Sequence, residues 1–251
     1  VGDADTDVVD ADDANMATLT LTSGGIANGA AEIFTLGGEP FPQDADKTAT
    51  VSAGGTDFDI AFTAGTGAFA VTNNAGGEMP VTAINALLQS VTYENTSDNP
   101  TAGDRTLSVV ANDGDADSNT AVATITVSAL NDPPTASWDR DNSGSPAQDD
   151  SGFETAFTEG DAAVTVGDAD TDVVDADDAN MATLTRTSGG VANGAAEIFT
   201  VGGEAFPQDA DKTATVSAGG TDFDIAFTAG TGAFVVTNNA GGEMPVTAIN
   251  A

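Results

Sequence analysis

Residues 47–63 read KTATVSAGGTDFDIAFT, two alternating runs on either side of Gly54 and Gly55. In each run apolar residues alternate with Thr, Ser or Asp, which is the period of a strand with one buried face. Two such runs joined by a glycine pair predict an antiparallel hairpin. Thr and Val also favour a pleated sheet over a helix, so the stretch predicts an all-β fold.

The same alternation recurs around this hairpin. It predicts further strands at 16–22, 68–72, 106–111 and 121–128, separated by turns rich in Gly and Asn. Many short strands at this spacing indicate an antiparallel β-sandwich. One short helical stretch is predicted at 81–89, after Pro80. The predicted core residues are aromatic: Phe34, Phe41, Phe58, Phe62, Phe69 and Tyr93, the last with a hydrogen-bonded hydroxyl.

The chain repeats itself at an offset of 165 residues. Residues 1–86 recur as 166–251, and only five of these 86 positions differ: Leu21/Arg186, Ile26/Val191, Leu36/Val201, Pro40/Ala205 and Ala70/Val235. A position that accepts both Leu and Arg is expected at a sheet margin or on a solvated face. A period this long exceeds that of solenoids, so each repeat is predicted to be a whole domain.

The predicted domain boundary lies at the segment Leu130-Asn131-Asp132-Pro133-Pro134. Paired prolines interrupt regular hydrogen bonding and form a short, stiff linker. The predicted domains are therefore 1–130 and 131–251. We expect the first to lack its N-terminal strand and the second to lack its C-terminal strands.

Charge and composition exclude several classes of function. The chain has 5 Lys and Arg against 40 Asp and Glu, a net charge of −35, and neither His nor Cys. Nucleic acids and anionic membrane surfaces would be repelled, and no apolar run is long enough for membrane insertion. Without His and Cys, the chain can use neither imidazole nor thiolate groups for catalysis or as metal ligands. Carboxylate pairs could serve a glycosidase, but acidic groups repeated in both copies are typical of fibres, so no enzyme is predicted.

Clustered carboxylates without nearby cations indicate bound calcium, which takes six to eight oxygen ligands. The candidate ligands fall in alternating runs and nearby loops: Asp3, Asp5 and Asp7, Asp168, Asp170 and Asp172, Asp113, Asp115 and Asp117, Glu94 and Asp98, with Asp10, Asp12, Asp13 and their copies Asp175, Asp177 and Asp178. The alternative is that these Asp residues only form turns by bonding their own backbone.

Five phrases of the chain resemble the cadherin-like tandem repeats of large bacterial extracellular adhesins of the RTX type and of biofilm surface proteins. They are FTEGDAAV (157–164), VGDAD (166–170), AINALLQSVTYEN (83–95), ANDGDADSN (111–119) and the linker NDPP (131–134). The resemblance implies tandem Ig-like sandwiches on the bacterial cell surface, with calcium at the domain junctions. It assigns metal roles to Glu159, Asp168, Asp170, Asn131 and Asp132. The insert 136–155 departs from the family pattern.

The last predicted strand runs down to the linker, which would place the hairpin 113–119 at the upper end of the sandwich. The loop 3–15 and the connection 94–98 are expected at the lower end, beside Asn131 and Asp132. This predicts one calcium cluster per junction, formed by the lower loops, the linker and the upper hairpin of the next domain.

These observations predict a structural segment of an extracellular bacterial fibre or adhesin stalk, stiffened by calcium, for cell adhesion or a biofilm matrix. Its partners would be neighbouring repeats, with homotypic filament assembly through open strand edges as a variant. The alternative is a module that binds a glycan or a surface protein. That activity would need an unrepeated site, for which the insert 136–155 with Trp138 is the candidate.

Overall fold

A computed structural model of the chain describes residues 2, 6–11, 13–137, 155–167 and 171–251. The chain forms two compact units, Val1–Leu130 and Asn131–Ala251. Both units are built almost wholly of antiparallel strands, which confirms the predicted all-β sandwich class.

Within its described residues the first unit contains eleven strands and one α-helix. They are β1 (Asn15–Met16), β2 (Thr18–Gly24), β3 (Glu32–Leu36), β4 (Glu39–Pro42), β5 (Lys47–Ala53), β6 (Thr56–Thr63), β7 (Ala68–Asn73), β8 (Met79–Pro80), α1 (Val81–Gln89), β9 (Thr92–Asn95), β10 (Gly103–Asn112) and β11 (Ala121–Val127). The large sheet has the order β11-β10-β2-β7-β6-β5. A smaller sheet has the order β4-β3-β9, and β1 pairs with β8.

The hairpin of residues 47–63 forms as predicted, with β5 antiparallel to β6 and Ala53 opposite Thr56. Its turn needs glycine because Gly54 and Gly55 have φ angles of +56° and +82°. A Cβ on Gly54 would also lie 2.7 Å from the Cα of Ala83 in α1. The turn therefore packs directly against the helix, and only glycine allows this approach.

The core of the first unit is aromatic, as predicted. Phe34, Phe41, Phe58, Phe62 and Phe69 are each no more than 2% exposed. The rings of Phe62 and Phe69 lie 4.4 Å apart, and Phe41 meets Phe69 edge to face at 5.5 Å. Burying a side chain of this kind contributes about 2–3 kcal/mol, so this cluster is a major source of stability.

Tyr93 packs against this core, but its hydroxyl differs from the prediction. Its ring lies 5.2 Å from the ring of Phe34. The Tyr93 Oη has no hydrogen-bond partner among the residues with described positions, so the prediction of a satisfied hydroxyl is wrong. Burial and the nearby Glu32 carboxylate raise the pKa of Tyr93.

Leu21 also differs from the prediction. It is fully buried, and its strand β2 lies between β10 and β7, with Leu21 opposite Val109 and Phe69. The predicted place at a sheet margin or on a solvated face is therefore wrong for the first unit. Its counterpart Arg186 is exposed on β15 (Leu184–Thr187), which within the described residues pairs only with β20 (Ala233–Asn238).

Most elements of the second unit follow the first copy where the sequences correspond, but β13 does not, since its counterpart 7–9 forms no strand. Its described residues form β12 (Thr135–Ser137), β13 (Asp172–Val174), β14 (Asn180–Met181), β15, β16 (Ile198–Val201), β17 (Glu204–Pro207), β18 (Lys212–Ala218), β19 (Thr221–Thr228), β20, β21 (Met244–Pro245) and α2 (Val246–Ile249). One sheet has the order β15-β20-β19-β18, and β16 pairs with β17, β14 with β21 and β12 with β13.

Both helices are short. The helix predicted at 81–89 is confirmed as α1, which buries Ala83, Ile84, Leu87 and Leu88. Throughout the described part of the chain, no helix combines the length and apolar character needed to cross a membrane.

Candidate metal centre

The acidic hairpin between β10 and β11 is held by its own side chains. Asp113 Oδ1 accepts hydrogen bonds from the backbone N–H groups of Asp115 and Ala116, both at 2.8 Å. Asp117 Oδ1 accepts one from Asn112 Nδ2 at 2.7 Å. The bonds from its own turn lower the pKa of Asp113. Asp113 and Asp117 thus form the turn, which is the role that the alternative interpretation gave them.

The loop before β2 lies at the same end of the first unit as this hairpin. Thr18 pairs with Asn112, and the Ala17 N–H donates to the Asn112 carbonyl at 2.7 Å. The negative charge of Asp10 acts on Asp113, where it opposes the lowering of the pKa. The prediction that these two loops lie at opposite ends is therefore wrong. Since β2 is antiparallel to β10, the residues before β2 must meet those after β10.

The connection 94–98 lies at the other end of the same unit. Thr96 N–H donates to the Ala31 carbonyl, and Gly103 pairs with Val127, the last residue of β11. Glu94 and Asp98 are exposed there. Asp10, which we expected at the same end as 94–98, therefore lies at the hairpin end instead.

The counterpart loop in the second unit meets the linker. The Asp132 N–H donates to Asp177 Oδ2 at 3.1 Å. Asp175 Oδ1 accepts hydrogen bonds from the N–H groups of Asp177 and Asp178, both at 3.1 Å. Just beyond the linker prolines, β12 pairs with β13, with Thr135 opposite Val174. The linker is thus anchored on the acidic loop 175–178.

Two carboxylates of this loop interact directly. The side-chain hydrogen bond between Asp175 and Asp177 raises the pKa of Asp177 and lowers that of Asp175. Because two neighbouring negative charges repel each other, the protonation of one carboxylate of such a pair depends on that of the other. The loop therefore concentrates negative charge where the linker begins.

The other predicted ligands are dispersed or lie outside the described residues. Asn131 and Glu159 are exposed, and Asn131 Nδ2 donates to the Asp132 carbonyl at 2.7 Å. Asp172 opens β13 opposite Ser137. Asp7 borders a groove with Leu88 and Val122. Five predicted ligands lie outside the described residues, namely Asp3, Asp5, Asp12, Asp168 and Asp170. Trp138 lies outside them too.

The oxygen-only chemistry of these loops fits calcium, but the part of the chain that the structure describes does not assemble a full ligand set. Among residues 2, 6–11, 13–137, 155–167 and 171–251, no three Asp or Glu side chains form a group that could hold a metal ion. The best partial set is Asp175 and Asp177 beside Asp132. Calcium accepts carboxylate, carbonyl and water oxygens, so such a set can be completed by backbone and solvent.

The sequence interpretation missed a buried ion pair at the opposite end of the first unit. Glu32 is 0% exposed and Arg105 is 2% exposed, and Arg105 Nη2 lies 2.9 Å from Glu32 Oε1. Arg105 Nε is 3.0 Å from each carboxylate oxygen. The same guanidinium donates to the carbonyls of Thr101 and Gly103 and to Asn28 Oδ1. This network joins β3 to β10.

Glu32 is also held by its own loop. Its Oε1 accepts hydrogen bonds from the N–H groups of Ala27 and Asn28 at 3.0 and 2.9 Å. Burial raises the pKa of Glu32, but Arg105 and these two backbone bonds outweigh that effect and leave the pKa below its ordinary value. The sequence of β3 is Glu-Ile-Phe-Thr-Leu, in which Glu32 occupies the same face as Phe34 and Leu36. A charged residue on that apolar face was the signal that could have indicated a buried ion pair.

Comparisons with known proteins found no matching family model, curated protein or solved structure.

Proposed function

We propose that the chain is a structural segment of an extracellular bacterial fibre or adhesin stalk whose junctions are stiffened by calcium. The observation that supports this most is the hydrogen bond from the linker residue Asp132 to Asp177 in the acidic loop. A repeated sandwich with an anchored, proline-stiffened linker suits a load-bearing array.

Asp175 and Asp177 would supply carboxylate oxygens to a calcium ion beside Asp132, with backbone and water oxygens completing its shell. The ion would neutralise the repelling carboxylates and tie the linker to the loop, which fixes the direction in which the linker leaves the unit. Extracellular modules bind calcium with dissociation constants of about 0.1–1 mM, so such sites fill outside the cell.

Thermal unfolding in calcium and in chelator tests this proposal. At roughly 100-fold saturation, one site adds about 2.7 kcal/mol to the free energy of unfolding. We expect millimolar calcium to raise the Tm above that in chelator with sodium chloride at matched ionic strength. The salt control is needed because a net charge of −35 makes any electrolyte stabilising.

Two variants locate the effect. Asp177→Asn should remove most of the calcium-dependent rise in Tm of the second unit. Asp209→Asn removes the same charge from an exposed residue beside Gly194 and should leave that rise intact. Equal melting curves in calcium and chelator would disprove the calcium-binding role, and an equal loss in both variants would exclude the loop as its site.

A further inference from the structure

The turn before β3 contains an Asn-Gly pair, Asn28 and Gly29, which recurs in the second copy as Asn193 and Gly194. Such a pair favours spontaneous deamidation, because glycine has no Cβ to hinder attack by its backbone nitrogen. In that reaction the Gly29 nitrogen bonds to Cγ of Asn28 and gives up its proton. The side-chain nitrogen takes up a proton and leaves as ammonia. Water then opens the resulting cyclic imide to Asp or to isoaspartate.

The backbone of Asn28 is held in a conformation that prevents this reaction in the first unit. Its N–H donates to Glu32 Oε1 at 2.9 Å, and its carbonyl accepts from the Ala31 N–H at 3.1 Å. The ψ angle of Asn28 is +14°, so the Gly29 nitrogen almost eclipses the backbone nitrogen of Asn28 and points away from Cβ. Ring closure needs the Gly29 nitrogen on the same side of the Cα–C bond as Cβ. The attacking atom therefore cannot reach Cγ.

The side chain of Asn28 is held by the residues that surround the buried ion pair. Its Oδ1 accepts hydrogen bonds from the Thr101 N–H at 3.0 Å and from Asn95 Nδ2 at 3.2 Å. It also accepts one from Arg105 Nη2 at 3.3 Å, and Asn28 Nδ2 donates to Thr101 Oγ1 at 3.3 Å. Donors on Oδ1 polarise the amide carbonyl as an oxyanion hole does. The fixed geometry, and not the electronic state of the amide, is therefore what prevents the reaction.

We propose that Asn28 is a latent deamidation site, which is unreactive while the network of Glu32 and Arg105 is intact and reactive when the turn opens. The isoaspartyl product adds one atom to the backbone of the turn, and its new carboxylate lies in the turn that holds Glu32, which is 0% exposed. The turn cannot close as before, so the modification makes an opening irreversible. Deamidation is slow relative to opening and closing, so its rate should follow the open population.

The test compares deamidation of the full chain in native buffer and in guanidinium chloride at the same mildly alkaline pH. Trypsin cleaves after Lys47, Arg186 and Lys212, so Asn28 and Asn193 fall in different peptides. Tandem mass spectrometry of the peptide that ends at Lys47 then locates the mass gain that marks deamidation. We expect the rate at Asn28 to be at least about 100-fold lower in native buffer, because a turn tied to the buried core opens rarely.

Two variants separate opening of the turn from global unfolding, at a temperature well below both melting transitions. Arg105→Met should raise the native rate at Asn28 by about 10- to 100-fold, the range for a lost hydrogen bond to a charged group. Leu19→Ala is the control for overall stability, because truncating a fully buried leucine is also strongly destabilising. Leu19 lies at the other end of β2, beside the pairing of Thr18 with Asn112, and its variant should raise the rate less.

A variant of the exposed Thr101 provides a test that does not depend on the folding of the Arg105 variant. Thr101→Val removes the hydroxyl that accepts from Asn28 Nδ2 but keeps the N–H, so the rate should rise by about 2- to 10-fold. Thr66→Val removes an exposed hydroxyl that donates to the Thr63 carbonyl at 3.3 Å, and should leave the rate at Asn28 unchanged.

Three outcomes would overturn the inference. The first is an equal rate of deamidation at Asn28 in the folded and the denatured chain. The second is an acceleration by Leu19→Ala as large as that by Arg105→Met. The third is a parental rate in both Arg105→Met and Thr101→Val. None of these measurements involves calcium, so their failure would leave the calcium proposal untouched.

Discussion

Replacing Arg105 by Met should destabilise the first unit far more than removal of any exposed cation. Methionine has an unbranched side chain that can replace the aliphatic part of Arg105. It leaves the Glu32 carboxylate, which is 0% exposed, without its counter-charge. The variant also leaves the Thr101 carbonyl without the bond it accepts from Arg105 Nη2 at 2.8 Å. Breaking a buried pair by removing one partner costs about 3–5 kcal/mol.

A loss of this size should lower the Tm of the first unit by roughly 10–20 °C. Thermal unfolding of the full chain by calorimetry measures it. The near-ultraviolet absorbance of Tyr93, the only tyrosine, identifies the transition of the first unit. The second unit should melt as in the parent chain, because additivity holds for independent folding units.

Lys47→Met is the matched control. Lys47 Nζ lies 2.7 Å from Glu39 Oε1, but the two side chains are 31% and 40% exposed. An exposed pair of this kind contributes about 0–1 kcal/mol. The double variant Glu32→Gln/Arg105→Met should be more stable than the sum of the single losses predicts, by up to about 3 kcal/mol. Equal losses for Arg105→Met and Lys47→Met, or strict additivity in the double variant, would refute the reasoning.

Three further predictions concern the first unit. The pKa of Glu32 is lower in the folded state than its ordinary value of 4.5, so its contribution to stability is complete above that pH and is lost as the pH falls further. Urea titrations should therefore show a stability gap between the parent and Glu32→Gln that narrows in acid, and a constant gap would contradict this. Leu21→Arg introduces the residue of the second copy at a fully buried position and should cost more than 3 kcal/mol in the same titrations, whereas a neutral effect would show that the site is open. Gly54→Ala should cost at least 1 kcal/mol more than Gly55→Ala, because both have positive φ but only Gly54 meets the helix; calorimetry showing equal losses would exclude the contact as the cause.

Local pattern was enough to predict the six strands of the large sheet but not β3 and β4 of the smaller one. In the alternating run of β6, the apolar residues Phe58, Ile60 and Phe62 identify the buried face of the strand. Strand β3 turns Glu32 inward beside Phe34 and Leu36, so its apolar alternation is interrupted. Strand β4 carries two prolines, which local propensity assigns to loops.

The candidate site depends on long-range pairing, which local pattern does not contain. The sequence predicted that acidic runs such as the one around Asp113 form loops. The end of the sandwich at which this loop lies is determined by the pairing of Thr18 with Asn112. The ion pair of Glu32 and Arg105 joins residues 73 positions apart. Glu32 interrupts the alternation of β3, but its partner becomes evident only when β3 and β10 are placed in space.

The separation of Glu32 and Arg105 along the chain also limits which segments of the coding sequence can be duplicated without loss of stability. A duplication that carries one of the two codons without the other leaves a carboxylate or a guanidinium without its partner in a buried place. Crossover in register between near-identical copies exchanges like for like and preserves the pair. The smallest piece that can be copied without this loss must therefore span both strands, which favours expansion and contraction of the array by whole repeats.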